Sequence, residues 1–157
     1  MRRRIIIISA IRNLLFIAAI FMLNHAGAQT NQKTSADAIL RVWETEEKDG
    51  RIEFLKSGNG YYGKILYGKQ QLEADGKTYK KDIHNPDPVL RTRLLMDYVL
   101  ITGLIYKDGK WVNGKIYNFN DGNSYDISME LKDSLLYLRV FKGLPMFGKT
   151  LKWHPLP

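Results

Sequence analysis

His84 stands between two carboxylates, Asp82 and Asp87, in a stretch of chain rich in turn residues. An imidazole near a carboxylate is the combination that acid–base catalysis and metal ligation both use, because histidine changes charge near neutral pH. Nothing else completes such a centre. No second histidine sits at metal-ligand spacing, and the chain contains no His-Glu-x-x-His, no Gly-x-Ser-x-Gly and no P-loop. The plainer reading of His84 is a solvated or turn-stabilising side chain. No catalytic residue, metal ligand or cofactor is therefore assigned, and a hydrolase-type enzyme built on His84 with Asp82 or Asp87 ranks behind a binding role. His154, near the C-terminus, is read as incidental.

Gly58-x-Gly60-x-x-Gly63 matches a dinucleotide fingerprint by letter. That chemistry needs a helix N-terminus after the glycines to hold a pyrophosphate. Here the glycines lead into Tyr61 to Tyr67, which is aromatic and strand-prone, so they read as hairpin glycines. Arg91 and Arg93 follow the turn Asn85-Pro86-Asp87-Pro88. Two guanidiniums beside a rigid turn could clamp an anionic group; the alternative is that this turn's polar groups tie a loop over a barrel end. Trp43, Tyr62, Tyr125 and Trp153 are the candidate walls of a ligand pocket, against the alternative of a filled core. Leu144-Pro145-Met146-Phe147, between Gly143 and Gly148, is an apolar turn that would serve as a lid, a membrane-touching tip, a partner contact or a plug.

The elements that must position these residues are short apolar runs separated by turn residues. Arg51 to Ser57, Tyr61 to Tyr67, Tyr98 to Tyr106, Trp111 to Tyr117, Ser124 to Leu131, Leu135 to Phe141 and Lys149 to His154 read as strands, preceded by Ile39 to Thr45. Asp108-Gly109, Asp121-Gly122 and Asn59-Gly60 fall at breaks, the pattern of consecutive hairpins. Tyr125, Ile127, Met129 and Leu131 share one face, with Ser124, Asp126, Ser128 and Glu130 on the other, and Leu136, Leu138 and Val140 make a matching face on the next strand. A period of two means one face buried and one wet. About eight such strands predict an all-β, antiparallel up-and-down barrel, because closure removes exposed edges. In the long connection, Asp87 is placed to cap a short helical turn beginning at Pro88.

The N-terminus predicts export. Arg2, Arg3 and Arg4 precede an unbroken apolar run from Leu14 to Leu23, and Ala26-Gly27-Ala28 offers a cleavage site. Residues 1–28 are read as a cleavable signal peptide, 29–38 as a flexible tether and 39–157 as the barrel domain, periplasmic or secreted. An uncleaved anchor would put Arg12 near the bilayer centre, at about 2.5–3.5 kcal/mol. Once the leader is removed, no stable membrane span is expected. Losing its four arginines takes the formal charge from +8 to +4. The remaining basic residues are scattered, not striped with aromatic partners, so no nucleic-acid partner is expected. The chain has no cysteine, which excludes disulfides, a thiol nucleophile and a lipidated N-terminal cysteine.

The ordered set Trp43, Gly58 to Ile65, Asn85-Pro86-Asp87-Pro88 with Leu90, Arg91 and Arg93, Gly114 to Tyr117, Asp121-Gly122 with Tyr125, and Gly143 to Gly148 before Trp153 resembles the domain of unknown function family 2147. The chain departs from that pattern at Arg41, at Asn118-Phe119 and after Trp153. The resemblance implies an exported protein with a calycin- or lipocalin-like barrel. It implies no established activity. The reading that follows is a barrel binding a small, partly apolar or anionic ligand. The alternative is a cell-envelope structural or interaction protein with a filled barrel.

Overall fold

The computed structural model describes residues 35–157; the expected leader and most of the expected tether lie outside them. Eight strands follow one another: β1 (Val42–Thr45), β2 (Gly50–Ser57), β3 (Gly60–Gly68), β4 (Val99–Lys107), β5 (Lys110–Asn118), β6 (Asn123–Lys132), β7 (Leu135–Phe141) and β8 (Lys149–Pro155). The only helical pieces among the described residues are short 3-10 turns. One of them, Pro88–Thr92, starts with Pro88 behind Asp87, whose Oδ1 accepts from the Val89 N–H at 2.9 Å, as the sequence predicts. Local chemistry makes the hairpins tight. At the β4–β5 turn Asp108 and Gly109 both take positive φ, 51° and 83°. Two consecutive left-handed residues match the twist of the flanking strands. Asp133 and Ser134 do the same between β6 and β7, without a glycine.

Each strand pairs antiparallel with its neighbours in sequence, and β1 pairs with β8, so the sheet closes into a barrel. The closing seam is short: Trp43 lies opposite Pro155, Glu44 opposite His154 and Thr45 opposite Trp153. An up-and-down barrel sorts its loops between two ends. The β1–β2, β3–β4, β5–β6 and β7–β8 connections lie at one end, and the β2–β3, β4–β5 and β6–β7 turns at the other.

The second end is filled. Trp43, Phe54, Leu104, Trp111, Ile127, Met129, Leu136 and Leu138 are almost wholly buried. The core leaves no room at Gly114, where an added Cβ would lie 2.5 Å from Leu104 Cδ2 and 2.6 Å from Ile127 Cγ1. A 3-10 turn, Ala36–Ile39, seals this end. Trp43 Nε1 donates to the Ile39 carbonyl at 2.9 Å and Trp111 Nε1 to the Ala36 carbonyl at 3.1 Å. Asp37 accepts from Lys56 Nζ at 2.8 Å and from the Tyr61 hydroxyl at 2.6 Å. Residues 36–38 are thus folded, which corrects their place at the end of a flexible tether. The turn is too short to show periodicity, and its order comes from partners 19, 24 and 75 positions away.

Gly114→Ala is expected to overpack the filled end and cost about 1–3 kcal/mol. Urea unfolding followed by tryptophan fluorescence measures it, and a loss below about 0.5 kcal/mol would contradict the close packing described.

Candidate functional site

The loop-rich end is hollow. A cavity of about 430 Å³ opens there, walled by Ile52, Ile65, Leu100, Ile116, Phe119, Val140, Leu151 and Trp153. These side chains are supplied by six of the strands and the β5–β6 loop, and in a barrel the alternate residues of each strand point inward. Trp153 stands where the hollow part meets the filled part, its ring 6.3 Å from that of Phe54.

Most of the polar side chains around the cavity are engaged with neighbouring groups. The Thr45 hydroxyl donates to Asp49 Oδ1 at 2.6 Å and accepts from the Asp49 and Gly50 N–H groups. The Tyr125 hydroxyl donates to Asp121 Oδ2 at 2.6 Å. That bond lowers the Asp121 carboxyl below the usual range and raises the Tyr125 phenol. Asn120 Nδ2 donates to Gln70 Oε1, and its backbone N–H to Asn118 Oδ1. Gln71, buried, donates from Nε2 to the Leu95 carbonyl at 2.5 Å, while its Oε1 packs beside Gly68 without a hydrogen-bond partner. What the cavity offers a guest is therefore mostly carbon, with the unpaired Gln71 Oε1 in its wall.

The long β3–β4 connection is pinned over this end by a buried charge. Asp82 is fully buried. Its Oδ2 accepts from Arg93 Nε at 3.0 Å, Arg93 Nη2 at 2.7 Å and Asn85 Nδ2 at 2.7 Å. Its Oδ1 accepts from the Tyr117 hydroxyl at 2.6 Å. A carboxylate removed from water needs such a full set of donors. Tyr117 belongs to β5 and lines the cavity, so this bond ties the connection to the barrel wall. Arg91 Nε donates to the Asn85 carbonyl at 2.8 Å, and the Arg93 guanidinium lies 5.1 Å from the Tyr98 ring centre. Burial first, and the Asp82 bond second, push the Tyr117 phenol up to about 12. Burial also raises Tyr98. A second clasp is steric. Gly122 has φ +73°, and a Cβ there would meet the His84 carbonyl oxygen at 2.0 Å.

Of the six ligand-binding candidates named from sequence, Tyr125 and Trp153 line the cavity. Trp43 is part of the sealed end, because the β1 register carries it below Trp153. Tyr62 is half-buried between the inward-facing Tyr61 and Gly63, on the outward face of β3. Arg91 and Arg93 sit on the connection and hold it together. His84 lines a separate cleft with Lys80 and Lys81, and both Asp82 oxygens are taken by other groups. No group of three or more metal-ligating side chains occurs among the described residues. Sequence reasoning missed most of the walls. Alternation on β7 already put Val140 on an inward face, and the same logic extends to Leu151. Phe119 carried no signal, since a turn residue has no period.

A closed eight-stranded meander, sealed at one end and hollow at the other, defines the lipocalin-like class of barrels. The model of the family described as an uncharacterized protein conserved in bacteria, DUF2147, matches residues 42–155, and the chain belongs to that family. Among solved structures the chain is similar to protein HP1028 from the human pathogen Helicobacter pylori, described as belonging to the lipocalin family. The likeness has a TM-score of 0.64 and 26% identity, over 76% of this chain and 83% of that one. No curated protein matches the chain.

Tyr117→Phe is expected to cost about 1–3 kcal/mol, because it deprives buried Asp82 of a donor. The pH dependence has a definite sign. The Tyr117 phenol binds its proton more tightly in the folded state, so its contribution is complete below pH 10 and is lost as pH rises towards about 12. Urea titrations at stepped alkaline pH should show a shallower loss of stability in the variant, with Tyr98 supplying the remainder.

Proposed function

We propose that this protein is an exported binding protein that carries a small, mostly apolar molecule in the hollow end of its barrel. The observation that carries this is the cavity of about 430 Å³, whose walls are mostly carbon and whose Thr45 and Tyr125 hydroxyls are engaged by neighbouring carboxylates. Its size falls within the usual range for small-molecule sites, and such sites are predominantly apolar. The likeness to a protein described as a lipocalin supports the same reading. The apolar body of the guest would occupy the cavity. Any charged end would remain at the rim, because no basic side chain lines the interior. Export rests on the leader read from the sequence. A hydrolase centred on His84 gains no support, since Asp82 is committed to Arg93, Asn85 and Tyr117.

Titration with the neutral fluorophore phenyl-naphthylamine tests the binding reading. The expected result is saturable uptake of about one probe per chain, with energy transfer from Trp153. Ile116→Trp fills the cavity and should weaken uptake by roughly tenfold or more, about 1.4 kcal/mol, at an unchanged unfolding midpoint. A wild-type protein that shows no saturable uptake would exclude a carrier. Export has its own check. Protein recovered from a periplasmic extract is expected to begin at Gln29, and retention of Met1 in a cytoplasmic fraction would refute it.

A further inference from the structure

We infer that the open end of the barrel docks on a lipid bilayer, with Leu144, Met146 and Phe147 entering the headgroup boundary. This goes beyond ligand binding and does not require it. The first ground is where the exposed apolar side chains lie. Among the described residues, the seven most exposed large hydrophobic side chains, from Leu94 at 47% to Val89 at 80%, all sit on the β3–β4 and β7–β8 connections. Both connections belong to the end of the barrel at which the apolar cavity opens. Phe147 is 79% exposed, Met146 73% and Leu144 60%. Three adjacent bare side chains of this kind mark an interaction surface.

The second ground is rigidity. The tip is held in shape by the chain itself. Arg139 donates from Nε to the Pro145 carbonyl at 2.9 Å, from Nη2 to the Met146 carbonyl at 3.0 Å and from Nη1 to Thr150 Oγ1 at 3.0 Å. A preformed tip loses little conformational entropy when it inserts. The third ground is charge. From Ser134 to Pro157 the chain holds Arg139, Lys142, Lys149 and Lys152 and no acidic residue. Lys152 pairs with Glu46 of the neighbouring loop, while Lys142 and Lys149 flank the tip at its base. Apolar side chains framed by lysines fit a surface of anionic headgroups over acyl chains. A bilayer in that position would also let an apolar guest reach the cavity without crossing water.

The absence of cysteine makes the test clean. Met146→Cys at the tip and Asn59→Cys in the β2–β3 turn of the sealed end each take one environment-sensitive fluorophore. The labelled full chains are mixed with vesicles of phosphatidylethanolamine and phosphatidylglycerol. The expected result is a blue shift at position 146, quenched by doxyl-labelled lipid, with no change at position 59. Adding Leu144→Ser and Phe147→Ser should abolish the shift, and high salt should weaken it. A label at 146 that stays in water on these vesicles would overturn the inference, as would equal responses at the two positions. Probe uptake measured in vesicle-free solution reports separately on the carrier reading, so either can fail alone.

Discussion

The pairing of β1 with β8 is the constraint on which the rest of the molecule depends. β1 is only four residues long, yet it must pair on both sides. Without it the sheet would expose two edges, and the inward faces of all eight strands would lose their enclosure. The seam is reinforced where it is thinnest. The Leu156 N–H donates to the Val42 carbonyl at 2.9 Å, and the Glu46 N–H to the Lys152 carbonyl at 3.2 Å. Closure separates inside from outside, and with no disulfide in the chain the apolar interior must hold the cylinder.

What closure leaves open is how the interior is shared out. The sealed half spends three large rings, Trp43, Trp111 and Phe54, on filling space, and glycine at 114 lets Leu104 and Ile127 meet. The hollow half is walled mainly by branched aliphatic side chains, with Phe119, Tyr125 and Trp153 among them, and these leave a cavity of about 430 Å³. The asymmetry follows from side-chain volume, since both halves share one meander. The Ala36–Ile39 turn covers the sealed end using two indole N–H groups that would otherwise be buried without acceptors.

The open end is organised by a charge instead. Asp82 gathers Arg93, Asn85 and Tyr117, and so fixes a connection of some thirty residues with little regular structure. A buried ion pair of this kind adds little net stability over a well-packed apolar cluster. Its effect here is to choose one placement of the connection. The connection and the β7–β8 loop leave apolar side chains bare at this same end of the barrel, among them Val89, Met146 and Phe147.

Much of this architecture was legible in the sequence. Turn dipeptides marked the hairpins, and alternation on β6 and β7 identified the inward faces, because both depend on residues close together in the chain. The cap at Asp87 was legible for the same reason. The contents of the barrel were not. Whether Trp43 or Trp153 faces the hollow half depends on the β1–β8 register, set between residues more than 100 positions apart. Phe119 gave no periodic signal, and the turn at 36–39 is ordered only by distant partners. Arg91 and Arg93 were open to clamping a ligand or holding a loop, with the loop role the plainer one, and Asp82, which engages Arg93, stood out in the sequence only as a neighbour of His84. By itself the sequence determined a closed antiparallel barrel, through local turn chemistry and the two-residue period. Tertiary structure alone decided which end is full and which is hollow, because that is a matter of volumes meeting across the barrel axis, and no local pattern records it.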